Sequence, residues 1–310
     1  MSFMTSSARL LTALCFAIVP GAIMAATPAT PPAAFPTPEK AAQALIAAAE
    51  KFDVAEFTRI LGSEGVELVV TEDTVQDKQR STAFAEKAKA RTKVVRDPKN
   101  PKSATVIVGM DDWPAPIPIV QTAKGWAFDP KIGREELLAR RIGGNELDAI
   151  ELCRGYVEAQ HDYASERHDG ATINQYAQRI ISTDGKHDGL AWKGADGTWQ
   201  GPVGENVARV IAEGYSTKSE PYHGYYFKVL KGQGASAPMG ALDYVVEGAM
   251  IGGFALAAAP SDYGVTGVKS FIVNQAGIVY EKDLGPKSEE QFRALMLYEP
   301  DKTWSPVAGN

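Results

Sequence analysis

The run Asn145-Glu-Leu-Asp-Ala-Ile-Glu-Leu-Cys-Arg-Gly-Tyr-Val-Glu-Ala-Gln-His-Asp-Tyr-Ala-Ser-Glu166 reads as one amphipathic helix, and the rest of the chain is arranged around it. Asn145 is a helix-capping residue type. Leu147, Ile150, Cys153, Val157 and Ala164 recur at helical spacing as an apolar stripe. Glu146, Glu151, Arg154, Glu158 and Asp162 fall on the other face. This is the pattern of a helix packed along one side. Upstream, residues 134–142 read as a separate helix, broken by Gly143-Gly144.

Downstream the chemistry turns to strands. Tyr222-His-Gly-Tyr-Tyr-Phe-Lys-Val-Leu230, Asp243-Tyr-Val-Val246, residues 253–259, Val268-Lys-Ser-Phe-Ile-Val273 and Gly277-Ile-Val-Tyr-Glu281 are rich in aromatic and β-branched residues. Gly, Pro and Asn274-Gln-Ala-Gly277 punctuate them. The connections are too short for helical crossovers, so the expected sheet is an antiparallel meander with the long helix on one face. Residues 167–218, rich in Gly, Asp and Trp, read as loops with short helices at 172–181 and 204–213.

Before the long helix lies a second pattern. Thr37-Pro38-Glu39-Lys40 is a helix start, with Thr37 to cap and Pro38 in the first turn. An Ala-rich helix runs to Lys51, a second begins at Asp53 and stops at Leu61-Gly62, and 66–70 suits a short strand or a helix end. Residues 77–90 form a polar helix. Residues 105–108 form a strand, Asp111-Asp-Trp-Pro-Ala-Pro-Ile-Pro118 a rigid extended segment, and 117–121 with 126–128 an edge hairpin. The expected class is α+β: a small helix-plus-antiparallel-sheet module at 37–130, then a unit at 134–310 with a long helix on an antiparallel β-meander.

Residues 1–26 read as a secretory signal peptide. Arg9 precedes the apolar run Leu10–Val19, Pro20-Gly21 breaks it, and Ala25 and Ala26 offer small residues for cleavage. The run is short for a permanent membrane span, so no permanent transmembrane helix is expected after its removal. Leu14 before Cys15 argues against lipidation. Residues 27–36 form a Pro-rich linker. The expected address is periplasmic or secreted.

Composition narrows function without choosing it. The 310 residues are 45% hydrophobic and 23% charged, which excludes a wholly disordered chain. A formal charge of −6 leaves no basic footprint for nucleic acid. Two cysteines exclude a disulfide scaffold and a multi-cysteine metal site. Cys153, on the apolar stripe, reads as a buried core thiol.

Several runs resemble an uncharacterised bacterial family catalogued as domain of unknown function 2950. They are Asp111-Asp112-Trp113-Pro114, Arg140-Arg141-Ile142-Gly143 with Asn145-Glu146-Leu147, Gly185-Lys186-His187-Asp188-Gly189-Leu190 and Tyr222-His223-Gly224-Tyr225-Tyr226-Phe227. Gly264-Val265-Thr266-Gly267 and Val279-Tyr280-Glu281-Lys282-Asp283-Leu284-Gly285 add to them. The resemblance covers nearly the whole chain after the signal. It implies an exported bacterial protein, and it carries no catalytic residues. Residues 145–285 resemble more loosely the globular part of type IV pilins and pseudopilins, which implies a helix packed on an antiparallel sheet. No prepilin-type helix begins that unit.

No His-Glu-x-x-His, Gly-x-Ser-x-Gly, Ser-x-x-Lys, Cys-x-x-Cys or P-loop motif is present, and Gly232-Gln-Gly234 is half of a dinucleotide fingerprint. The leading expectation is a non-enzymatic binding, scaffold or assembly-accessory protein of the cell envelope, with no cofactor. Its partner is an envelope protein or a small ligand. Its contact residues are His187, Asp188, Trp192, Tyr222, His223 and Tyr225. Strand alternation places Tyr222 with Tyr226 on one face and His223 with Tyr225 on the other. The competing expectation is a metal-dependent or His/Asp hydrolase using His168, Asp169, His187, Asp188 and His223 around one metal. Asp-Gly turns with histidine adjacent by chance are the preferred explanation of those pairs, because local pairing says nothing about convergence in space. A third expectation is a small-ligand carrier whose first module is lined by Trp113 and Trp126.

Overall fold

The computed structural model describes residues 29–204 and 221–309. The signal peptide expected at 1–26 lies outside them, as does the helix expected at 204–213 from residue 205 onward. The α+β class is observed, and the described residues build two hydrophobic cores.

The first core begins where expected. Thr37 accepts the Lys40 N–H, and α1 (Pro38–Lys51) buries Ala41, Ala42, Leu45, Ala48 and Ala49. Asp53 accepts the Glu56 N–H and starts α2 (Val54–Val66). The stop expected at Gly62 is a kink instead. The backbone turns left-handed there, with φ 76°, and the helix resumes to Val66. A side chain at Gly62 would meet the Thr30 carbonyl at 2.7 Å, so the close approach of the incoming chain requires glycine. Residues 66–70 are the helix end, closed by Val70 N–H on Val66 O.

Asp73 caps α3 (Thr74–Ala90). The sheet that follows contains β1 (Thr92–Arg96), β2 (Ser103–Val108), β3 (Trp113–Pro114), β4 (Ile119–Thr122) and β5 (Gly125–Phe128). Its order is β1-β2-β4-β5, all antiparallel, with β3 beside β2. Strand β1 was not legible in the sequence, because this largely exposed edge strand lacks apolar alternation. The Pro-rich segment is extended but tied down. Phe35 and Trp126 exchange backbone hydrogen bonds at 2.7 and 2.8 Å.

The main departure is α4 (Pro130–Tyr163), one helix of 34 residues where two were expected. Asp129 caps it through the Lys131 and Ile132 N–H groups, and Pro130 occupies its first turn. It runs through Gly143-Gly144 unbroken, because glycine costs a helix about 1 kcal/mol each without forbidding it. Asn145 is therefore no cap; its side chain donates to Thr266 O at 2.8 Å. A methyl group at Gly143 or Gly144 would meet nothing within 4 Å. Gly144→Ala is thus expected to raise the unfolding free energy by about 0.5–1 kcal/mol in urea titration. A loss of stability would refute the continuous helix.

The buried stripe of α4 is Ala149, Ile150, Cys153, Tyr156, Val157, Gln160 and Tyr163. Leu147 was expected on it but is 65% exposed. Six residues at about 100° each turn Cys153 some 120° away from Leu147. Burial pushes the Cys153 thiol up to about 12, against a smaller downward pull from Arg154. Reaction with a disulfide reagent near pH 8.5, the ordinary thiol pKa, is therefore expected only as the chain unfolds. Labelling faster than unfolding would contradict that burial.

The first turns of α4 pack on the first core, where Gly133 lies against Ile117 and Arg134 donates to Glu64 O. Its second half covers the other sheet. That sheet contains β9 (Tyr225–Leu230), β14 (Ala255–Pro260), β15 (Lys269–Asn274), β16 (Tyr280–Asp283) and β17 (Ser305–Pro306), in the order β17-β16-β15-β14-β9. All its pairings are antiparallel, as the meander reading expected. Two short ladders fall between β9 and β14: β10 (Gly232–Gln233) with β11 (Leu242–Asp243), and β12 (Val245–Val246) with β13 (Ala249–Met250). The strand expected at 243–246 therefore does not join the meander but is split between them at the buried Tyr244.

Residues 172–181 are not the expected helix. They form loop and β6 (Arg179–Ile181), which pairs in parallel with β7 (Gly189–Lys193); β8 (Trp199–Gln200) joins β7 from the other side. The reason is tertiary. Buried Gln160 of α4 accepts the Ala177 N–H and donates to Ala177 O, both at 2.8 Å, so the loop bonds to a side chain rather than to its own next turn.

Candidate functional site

Along the exposed shoulder of α4 runs a cleft of about 550 Å³. Its helix wall presents Asp148, Glu151, Leu152, Gly155, Tyr156, Glu158, Ala159 and Asp162, residues three or four apart that share a face. The facing wall is Ile180 from β6, Leu190 from β7, then Pro202-Val203-Gly204 and Tyr222. The floor is apolar and the rim carries four carboxylates. The described lining includes no lysine, arginine or histidine. Gly155 leaves the helix backbone open to the cleft, with nothing within 4 Å of where a side chain would begin.

One end of the cleft is fixed by His223. The sequence reading treated 222–226 as plain strand, but His223 (φ 45°) and Gly224 (φ 74°) form a left-handed turn between Tyr222 and Tyr225. Alternation is broken there, so Tyr225 does not share a rim with His223. Tyr225 is 1% exposed and donates to Lys269 O at 2.8 Å. Burial raises its phenol strongly, with Glu146 and Cys153 adding to the effect. His223 Nδ1 and Asp148 Oδ2 share a hydrogen bond, and the Tyr222 ring stacks on the imidazole at 4.3 Å. Burial, then Asp148, raises the Tyr222 phenol above its ordinary value.

Sequence reasoning missed Asp148 and Glu146. Both sit on the polar face of α4, where any carboxylate reads as solvated. Glu146 in fact accepts the Val268 and Lys269 N–H groups at 2.9 Å and anchors the start of β15. The quoted motifs 145–147 and 264–267 therefore meet through Asn145, Glu146 and the turn before β15.

His168, Asp169, His187, Asp188 and Trp192 lie at the other end of α4. The buried His168 ring stacks on Tyr163 at 4.0 Å and lies 5.7 Å from Trp192; His187 lies 4.6 Å from the same indole. Asp169 accepts the His187 N–H at 2.8 Å and faces its ring at 3.5 Å. Burial alone would raise the Asp188 carboxyl, but the Thr183 N–H and hydroxyl, then Arg179, hold it below the usual carboxylate range. Burial, then Asp169 and Asp188, pushes the Tyr163 phenol up to about 12.

These groups do not converge as the metal reading required. Asp188 is turned to Thr183 and Arg179, and His168 Nε2 contacts Tyr163 O. Asp148 and Tyr163 stand fifteen residues apart on α4, about 22 Å at the helical rise, so His223 is far from the other four. Among the described residues, no three His, Cys, Asp or Glu side chains are placed to hold a metal ion. The Asp111 and Asp112 carboxylates likewise face Lys87, and Arg91 with Lys93. In the first unit Trp113 lines a pocket, but Trp126 does not. Trp126 is 5% exposed, with the Arg96 guanidinium 4.9 Å from its ring.

A family model described as protein of unknown function (DUF2950) matches residues 33–307. No curated protein matches the chain. No solved structure matches it either, type IV pilins included. No helix of the described residues is long and apolar enough to cross a membrane.

Proposed function

This chain belongs to the DUF2950 family, and we propose that it is an exported cell-envelope binding protein that holds a basic, partly apolar segment of a partner in the α4 cleft. The observation that carries the reading is the cleft: an apolar floor between four carboxylates, with no cation among its described lining. Its volume falls in the range of ligand sites. From Asp148 to Asp162 the helix wall is about 21 Å long at the helical rise, which suits about six residues of extended peptide. Leucine-sized side chains would meet Leu152 and Val203 while lysines reach the rim. Tyr222, stacked on His223, closes one end as a flat aromatic contact. The signal-peptide pattern read from the sequence at 1–26 is what supports the envelope setting.

The test is calorimetric titration with an acetylated, amidated hexapeptide of alternating lysine and leucine. Binding is expected, and it is expected to weaken steeply between about 0.1 and 1 M salt, where the screening length falls from about 10 to about 3 Å. A peptide with glutamate in place of lysine is expected not to bind. Equal binding of both peptides, or binding of neither, would remove the reading.

A further inference from the structure

We propose that the first unit holds a second site, separate from the α4 cleft, for a small amphiphile with an apolar body and an anionic head. The pocket has a volume of about 210 Å³ between α1, α2, α3 and the segment 113–117. Its wall includes Leu45, Phe57, Leu61, Phe84, Trp113 and Ile117. This is not leftover space in a loosely packed core, because its walls are held from behind. The Trp113 ring meets Phe84 edge-on at 6.5 Å and carries the Arg140 guanidinium 5.4 Å above it. Buried Asp77 accepts the Thr71 N–H at 2.5 Å and the Thr71 hydroxyl at 3.0 Å, which pins the turn that supplies Leu68 and Val69. The Ser81 hydroxyl donates to Ala49 O at 2.9 Å.

The polar side chains of the buried wall, Asp77 and Ser81, are thereby engaged within the protein, and what faces the interior of the space is mostly apolar. Water gains few partners in such a place, and an apolar cavity of about 150 Å³ already admits benzene. A body of roughly eight carbons suits the larger volume. The head group follows from charge. Arg80 is the one cation among the described lining residues; its side chain is 65% exposed, which places it at the mouth. Its neighbour Asp77 holds Thr71 through Oδ2 and turns Oδ1 to one side of the guanidinium at 3.8 Å. Gln76 accepts one of the five guanidinium N–H groups, which leaves donors for a carboxylate, sulfonate or phosphate.

The test uses the full chain with octanoate, octan-1-ol and 8-bromooctanoate. Octanoate is expected to bind more tightly than octan-1-ol. Arg80→Gln is expected to weaken octanoate about tenfold, the value of one charge-assisted contact, and to leave octan-1-ol within about twofold. Bromine quenches indoles on contact, so 8-bromooctanoate is expected to dim the wild-type fluorescence, and Trp113→Phe to abolish most of that quenching. A double variant carrying Glu151→Lys and Glu158→Lys in the α4 cleft is expected to bind octanoate unchanged, which separates this site from that one. Absence of octanoate binding overturns the proposal. So does equal affinity for octan-1-ol, an unchanged Arg80→Gln affinity, or quenching that persists without Trp113.

Discussion

Gln160→Leu is expected to lower the unfolding free energy by about 3 kcal/mol. Gln160 is fully buried on α4, and both ends of its amide are used. Its Nε2 donates to Ala177 O and to the Tyr156 hydroxyl at 2.8 Å, and its Oε1 accepts the Ala177 N–H at 2.8 Å. Leucine matches the volume and removes all three bonds. Ala177 is itself 0% exposed, so its N–H and C=O would lose their partners out of reach of water. Each such group costs about 1–3 kcal/mol, and the gain from burying a leucine offsets part of the sum. The measurement is the midpoint and slope of a urea transition. A change below about 0.5 kcal/mol, the level of an ordinary surface substitution, would show that the loop does not hang from Gln160. Because Ala177 leads directly into β6, which supplies Ile180 to the cleft, the same variant is expected to weaken peptide binding as well as stability.

The second large effect concerns charge. The double substitution Glu151→Lys and Glu158→Lys is expected to weaken the lysine-leucine hexapeptide at least about thirtyfold. Each substitution replaces an attraction by a repulsion, so the pair changes the rim by four charge units. Stability is expected to move little, because both side chains are exposed. The pair that Glu151 makes with Arg154, at 3.6 Å, is of the kind worth a few tenths of a kcal/mol. A Tm close to wild type together with lost binding would locate the effect in the cleft. Unchanged binding at low salt would show that the carboxylates do not contact the peptide. Gly155→Ala provides a finer probe. It leaves the charge unaltered and adds one methyl to the helix wall, so it should favour the helix while narrowing the cleft.

Legibility in the sequence followed the range of the interaction. The starts of α1 and α2 were readable, because Thr37 and Asp53 bond to N–H groups three residues away. Four strands of the meander, β9, β14, β15 and β16, were readable as well, because β-branched and aromatic residues cluster in runs bounded by glycine and asparagine, whereas the short edge strand β17 was not. The errors fell where a distant partner overrode a local signal. Gly143-Gly144 reads as a break, yet the contacts of Asn145 and Glu146 with the turn before β15 hold the helix across it. The segment 172–181 reads as a short helix, yet Gln160 captures its backbone.

The candidate residues divide in the same way. Tyr222 and His223 stand out as an aromatic run with a histidine, His187 by its Asp-Gly neighbour and Trp192 by its glycine-rich loop, and the structure groups Tyr222 with His223, and Trp192 with His187. It removes Tyr225 to the core and adds Asp148, which no local pattern singles out.

The sequence by itself determined the α+β class, the antiparallel meander, the amphipathic helix that covers it and the burial of Cys153. These rest on capping, periodicity and side-chain shape, which act over a few residues. Only the tertiary structure decided that α4 is continuous, that the histidines occupy two ends of it, and that four carboxylates line one cleft. Those facts depend on which elements are brought face to face. The pairs that record them, Asp148 with His223 and Asn145 with Thr266, are 75 and 121 residues apart, far beyond the reach of any local period.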